Sequence, residues 1–125
     1  MIICVDFDGT CVAEDFPYIG NDIGAVPVLK ELNKNGHKII LNTIRDKQYL
    51  QAAIRWFKDN GIELYGINSN PTQIKFSTSP KIYCDLYIDD RNLGCPLITD
   101  KTISDVPFVD WKTVRKNLVK LGYIK

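Results

Sequence analysis

Three short apolar runs, each ending abruptly in a polar cluster, constrain this chain more than any other feature. They are Ile-Ile-Cys-Val running into Asp6-Phe7-Asp8-Gly9-Thr10, Ile39-Ile40-Leu41 running into Asn42-Thr43-Ile44-Arg45, and Leu86-Tyr87-Ile88 running into Asp89-Asp90-Arg91-Asn92. Continuous apolar runs of this length bounded by turn chemistry read as strands buried on both faces. Between them the periodicity changes to that of helices. Val26, Leu29 and Leu32 keep helical spacing, with Pro27 suited to a first turn, Asp22 near the cap and Gly36 as a stop. Leu50, Ala53, Ile54 and Phe57 share a second helical face that Gly61 ends, and Trp111, Val114, Leu118 and Leu121 share a third, with Asp110 as its cap. Residues 62–67 and Cys-Pro-Leu-Ile-Thr read as further short strands, and the stretch 68–80 as a loop holding at most a turn of helix.

Strands alternating with helices imply an α/β fold: an open, mostly parallel sheet with right-handed crossovers and helices on both faces. With 125 residues the chain is read as a single domain. Parallel strands bring all three polar clusters to one sheet edge, where ligands of such sheets bind.

Four carboxylates gathered there repel one another unless a cation offsets them. Oxygen donors without histidine or cysteine suit Mg²⁺ bound together with a phosphate oxygen. The Thr43 hydroxyl and the backbone N–H groups of a Gly-containing turn can donate to phosphoryl oxygens, and a carboxylate can act as a nucleophile. A net charge of +1 gives no case for nucleic acid or a membrane surface as partner. The start of the chain lacks the pattern of a signal peptide, and the expected location is cytoplasmic. In that compartment Cys4, Cys11, Cys84 and Cys95 are expected as small hydrophobes and turn residues, with Cys11 open to exposure beside the acidic motif. His37 is a strand-entry residue, and Trp56, Phe57 and Trp111 are core residues.

Asp-Phe-Asp-Gly-Thr at the end of the first strand, followed in order by Thr43, a lysine and Asp89-Asp90, resembles the motifs of the haloacid dehalogenase (HAD) superfamily of phosphohydrolases. The resemblance spans residues 2 to about 92. It implies a three-layer α/β/α, Rossmann-like core and a phosphate monoester phosphatase working through an aspartyl phosphate. Asp6 would be the nucleophile, and Asp8 the acid and base. Mg²⁺ would be held by the Asp6 and Asp89 carboxylates and the Asp8 carbonyl, with Asp90 behind them. Phosphate would be held by Thr43, by the N–H groups of Phe7, Asp8 and Gly9, and by Lys81, for which Lys75 competes. Arg45 is expected on a substrate phosphate or on a nearby aspartate. No stretch is long enough for a separate cap domain, so the site would take a macromolecular substrate, borrow a lid from another subunit, or use as a small lid the loop between Cys11 and Asp22, which holds Phe16, Pro17 and Tyr18. Two other readings of the constellation are a phosphate-binding regulatory module and a phosphotransferase. The expected partner is a phosphorylated substrate.

Overall fold

The computed structural model describes residues 1–125. Strand β1 (Ile2–Val5) is followed by helix α1 (Ala25–Lys34), strand β2 (Lys38–Leu41), helix α2 (Lys47–Asp59) and the two-residue strand β3 (Gly66–Ile67). A 3₁₀ turn (Gln73–Lys75) precedes strand β4 (Leu86–Ile88); strands β5 (Leu97–Ile98) and β6 (Phe108–Val109) and helix α3 (Trp111–Lys120) complete the chain. The main sheet is fully parallel in the order β3-β2-β1-β4, with Val5 aligned to Leu41 on one side and Ile88 on the other. The chain steps outward from β1 through β2 to β3 and then crosses to the far side of β1. The order therefore reverses between β1 and β4, where a crevice opens in such sheets.

Alternation along the strands divides the core. Ile3, Val5, Ile39 and Leu41 join Leu29 and Leu32 of α1, Ala53 and Phe57 of α2, and Val114 and Leu118 of α3 in one cluster of 20 buried residues. Cys4 and Ile40 point the other way and meet Cys84, Ile82 and Tyr65. All three helices thus pack on one face. The second face, expected to carry helices, is covered by the irregular segment between β3 and β4, whose only helical part is the 3₁₀ turn.

Four further expectations change. β5 does not extend the parallel sheet but pairs antiparallel with β6 in a separate two-stranded ribbon. The strand expected over 62–67 shortens to its last two residues. Leu121 lies beyond α3 and is exposed. The α3 cap is as expected, with Asp110 accepting from the Thr113 N–H and hydroxyl. Cys4 and Cys84 are joined as a disulfide, not held as separate thiols, across a Cα–Cα distance of 6.0 Å. Sequence spacing gave no sign of this pair, because only the β1–β4 register brings residue 84 beside residue 4. No helix is long and apolar enough to cross a membrane.

Candidate active site

The Asp6–Thr10 turn owes its shape to what lies beneath it. Phe7 points into the core against Trp56 and Phe57, so Asp6 and Asp8 on either side of it stay at the surface of the sheet edge. Gly9 sits at φ +83°, where a side chain is strained, and a Cβ there would run into the Asp90 carboxylate. The turn is braced from below by the last third of the chain. The Val109 N–H of β6 donates to the Gly9 carbonyl at 3.1 Å, and the buried Trp111 indole N–H of α3 donates to the Thr10 carbonyl at 2.7 Å.

Oxygens of Asp6, Asp89 and Asp90 lie within 4.8 Å of one another. Thr10, fully buried, links them: its hydroxyl is 3.1 Å from Asp6 Oδ2 and 3.3 Å from Asp90 Oδ1, and it accepts the Asp90 N–H. Burial, and then the charge of Asp89, push the Asp6 carboxyl up to about 8, against the opposing pull of the Phe7 N–H. Burial raises Asp90 as well. An all-oxygen donor set whose charge is this strained fits a hard divalent cation. The Asp8 carbonyl accepts no hydrogen bond within the chain and faces no competitor for such an ion.

Asp8 itself is turned away from the other three carboxylates. Its side chain forms a two-pronged pair with Arg45, Nε to Oδ2 at 2.8 Å and Nη2 to Oδ1 at 2.7 Å. Arg45 is 3% exposed and lies between the rings of Phe7 and Phe16. Its remaining N–H groups reach the carbonyls of Pro17, Tyr18 and Tyr49. Of the two roles expected for Arg45, the ion pair with an aspartate is the one formed. The same contacts fasten the Cys11–Asp22 loop as a wall of the site, with Ala13 donating to Asn21 and Asn21 reaching Ile103.

These groups line a cleft of about 470 Å³, together with Thr43, Glu14, Asp46, Arg91 and the exposed side chains of Phe16 and Ile44. Thr43 is held by its backbone: its N–H donates to Asn68 Oδ1 and its Oγ1 accepts from the Arg45 N–H, which leaves the hydroxyl proton free for a ligand. Not every expected residue arrives. Lys81 lines a different depression with Phe76 and Tyr83, and neither it nor Lys75 borders the cleft. The Gly9 N–H is already bound to the Val12 carbonyl and the Phe7 N–H is drawn to the Asp6 carboxyl, so of the three expected N–H donors only that of Asp8 stays available. Cys11 is fully buried, its thiol against the Asp6 carbonyl and raised above its ordinary value by that burial. Thr10, Asn68 and Glu14 were not foreseen. Thr10 lay in plain view within the motif, whereas Asn68 and Glu14 carry no signal outside the fold.

Fold and site together define a small α/β domain with an acidic cleft at the carboxyl edge of a parallel sheet, at its switch point. No family model matches the chain, and no curated protein does. Among solved structures, a conserved protein from Bacteroides thetaiotaomicron superposes with a TM-score of 0.77 at 35% sequence identity, over 98% of this chain and 91% of that one. At that identity and coverage the chain belongs to the same family as the Bacteroides protein.

Proposed function

We propose that the protein is a Mg²⁺-dependent phosphohydrolase with a HAD-like, Rossmann-like core, acting on phosphate monoesters through an aspartyl phosphate. The observation that carries this reading is the meeting of Asp6, Asp89 and Asp90 beside the free hydroxyl of Thr43, at the sheet's switch point. Asp6 would attack phosphorus as the bond to the leaving oxygen breaks, and Asp8 would give that oxygen a proton. Asp8 would then take a proton from the water that attacks the aspartyl phosphate, releasing inorganic phosphate and restoring Asp6. Thr43 and the Asp8 N–H would hold the phosphoryl oxygens, with the Phe7 N–H set on the Asp6 carboxyl. The Asp6 and Asp89 carboxylates and the Asp8 carbonyl would hold Mg²⁺, with Asp90 held to Asp6 through Thr10. When bound, the cation offsets the charge of carboxylates and phosphate alike. Lys81 has no part in this scheme, and the cations at hand are Arg45 and Arg91.

The Asp8–Arg45 pair also favours a second reading. A carboxylate held in a two-pronged contact by a buried guanidinium is fixed in place with both oxygens engaged, which suits a domain that binds phosphate without hydrolysing it. Hydrolysis of p-nitrophenyl phosphate, with Mg²⁺ or with EDTA, separates the two. Turnover that needs Mg²⁺ and disappears in Asp6→Asn and Asp8→Asn is the expected result. Absence of turnover on aryl, sugar, nucleotide and phosphoprotein esters alike, with Mg²⁺ still bound, would establish the binding module instead.

A further inference from the structure

Resting on the hydrolytic reading of the cleft, we propose that the leaving alcohol carries positive charge: the substrate is a phosphate monoester of a cationic carrier. The acidic cleft does not stand alone. Glu14 and Phe16 line both it and a second cavity of about 650 Å³, which runs between the 13–16 segment and the turn at 101–106. The two form one groove leading away from Asp6.

Charge is distributed very unevenly along that groove. The chain has 15 acidic and 16 basic side chains, yet eight of the acids and only Arg45, Arg91 and Lys101 among the bases line it. Asp6, Asp89 and Asp90 are accounted for by the cation, and Asp8 by Arg45. Glu14, Asp15, Asp46 and Asp105 are not: their carboxylates make no ion pair and no hydrogen bond within the chain. Lys101, whose Nζ donates to the Asp105 carbonyl at 2.9 Å, and Arg91 keep their charges and offset only part of these four, which leaves the groove acidic. Phe16 already carries the Arg45 guanidinium 5.2 Å from its ring centroid, and the part of it that stays exposed, 55%, offers a further aromatic surface to a cation where the two cavities meet. A groove with an excess of one sign concentrates ligands of the other, and it repels the extra phosphates of a diphosphate or a nucleic acid.

Initial rates in Mg²⁺ test this with two phosphoserine peptides of equal length, one flanked by arginine and lysine and the other by glutamate and aspartate. Phosphoethanolamine and glycerol phosphate form a second pair, and p-nitrophenyl phosphate serves as the common reference. At low ionic strength kcat/KM for the basic peptide is expected to exceed that for the acidic one by about tenfold or more, and the gap to narrow as salt is added. Glu14→Gln and Asp105→Asn, both at exposed positions, should each shrink the ratio, and Glu14→Lys should shrink it further. A matching preference for phosphoethanolamine places the favoured charge next to the phosphate, and a preference confined to the peptides places it along the second cavity; both support the proposal. Hydrolysis of p-nitrophenyl phosphate with equal or reversed peptide rates overturns the proposal and leaves the phosphatase standing. No hydrolysis of any ester removes both.

Discussion

Arg45 and Asp8 meet through two parallel hydrogen bonds of 2.7 and 2.8 Å, with the guanidinium wholly buried and the carboxylate partly open to the cleft. That asymmetry makes Arg45 a positioning residue. It cannot reach a substrate without breaking its own bonds, but it fixes the side chain that would shuttle the proton.

Replacing the fork with a point charge tests this role. Arg45→Lys retains a cation but not the planar double contact, so Asp8 loses its orientation. As the proposed acid, Asp8 matters when the leaving oxygen is a poor leaving group and hardly at all for p-nitrophenolate, whereas as the proposed base toward water it serves both esters. We expect kcat on an alkyl phosphate to fall roughly a hundredfold and on p-nitrophenyl phosphate less than about tenfold. Equal losses on the two esters would make Arg45 a structural residue only. Arg45→Ala leaves a partly buried carboxylate without its partner and should cost about 3 kcal/mol in denaturant unfolding.

Trp111 is the next lever, because it connects α3 to the Asp6–Thr10 turn from below. Trp111→Phe preserves most of the apolar volume but leaves the buried Thr10 carbonyl without the indole N–H. An unsatisfied buried acceptor costs about 1–3 kcal/mol. Since Thr10 also ties Asp6 to Asp90, apparent Mg²⁺ affinity should weaken along with stability, as titration calorimetry would register. Unchanged affinity in a destabilised protein would mean that the brace supports the fold alone.

How much of this was legible beforehand depended on how local each signal was. Strands β1, β2 and β4 announce themselves as apolar runs, and α1, α2 and α3 as apolar faces at helical spacing. Asp6, Thr43, Asp89 and Asp90 follow because parallel strands must deliver their ends to one edge. β6 was invisible: Phe108 and Val109 are two residues whose strand character exists only through pairing with β5. Arg45 was legible as the partner of an aspartate but not as the fastener of the loop, since the Pro17 and Tyr18 carbonyls it holds lie 28 and 27 positions upstream. Lys81 illustrates the opposite failure. Its place in the chain suited the motif, but the path from β3 to β4 carries it away from the cleft.

The Cys4–Cys84 bond makes a prediction that needs no substrate. It ties β1, two residues before Asp6, to the approach of β4, and it closes a span of 80 residues. A loop of that size is worth about 4 kcal/mol through the entropy it removes from the unfolded chain. Alkylation of the unfolded, unreduced protein should mark Cys11 and Cys95 only, and reduction should expose all four thiols and lower the melting temperature. Cys4→Ser with Cys84→Ser should melt as the reduced protein does. Four reactive thiols before any reduction would disprove the bond.

Asp6 gives the protein a stability profile of unusual sign. Its carboxyl titrates near 8 when folded, because of burial first and Asp89 second, and near 3.9 in an unfolded chain. Between about pH 4 and pH 8 the folded state therefore keeps a proton that the unfolded state has lost. Linkage then requires stability to fall as pH rises through this window and to level off above it. Asp90, also raised by burial, acts in the same direction. Glu31, Asp100 and Asp110 are shifted downward by their hydrogen bonds and lose their contributions only in more acidic solution, so they do not mask the effect. In metal-free buffer the melting temperature should decline from pH 5 to pH 8. Asp6→Asn, which has no proton to lose, should flatten that decline and melt at least about 4 °C above the wild type at pH 8, the equivalent of about 1 kcal/mol. Mg²⁺ should stabilise the wild type more at pH 8 than at pH 6, where it must first displace the proton. A melting temperature that rises across the window in EDTA would show that the carboxylates relieve their repulsion in some way other than by holding a proton.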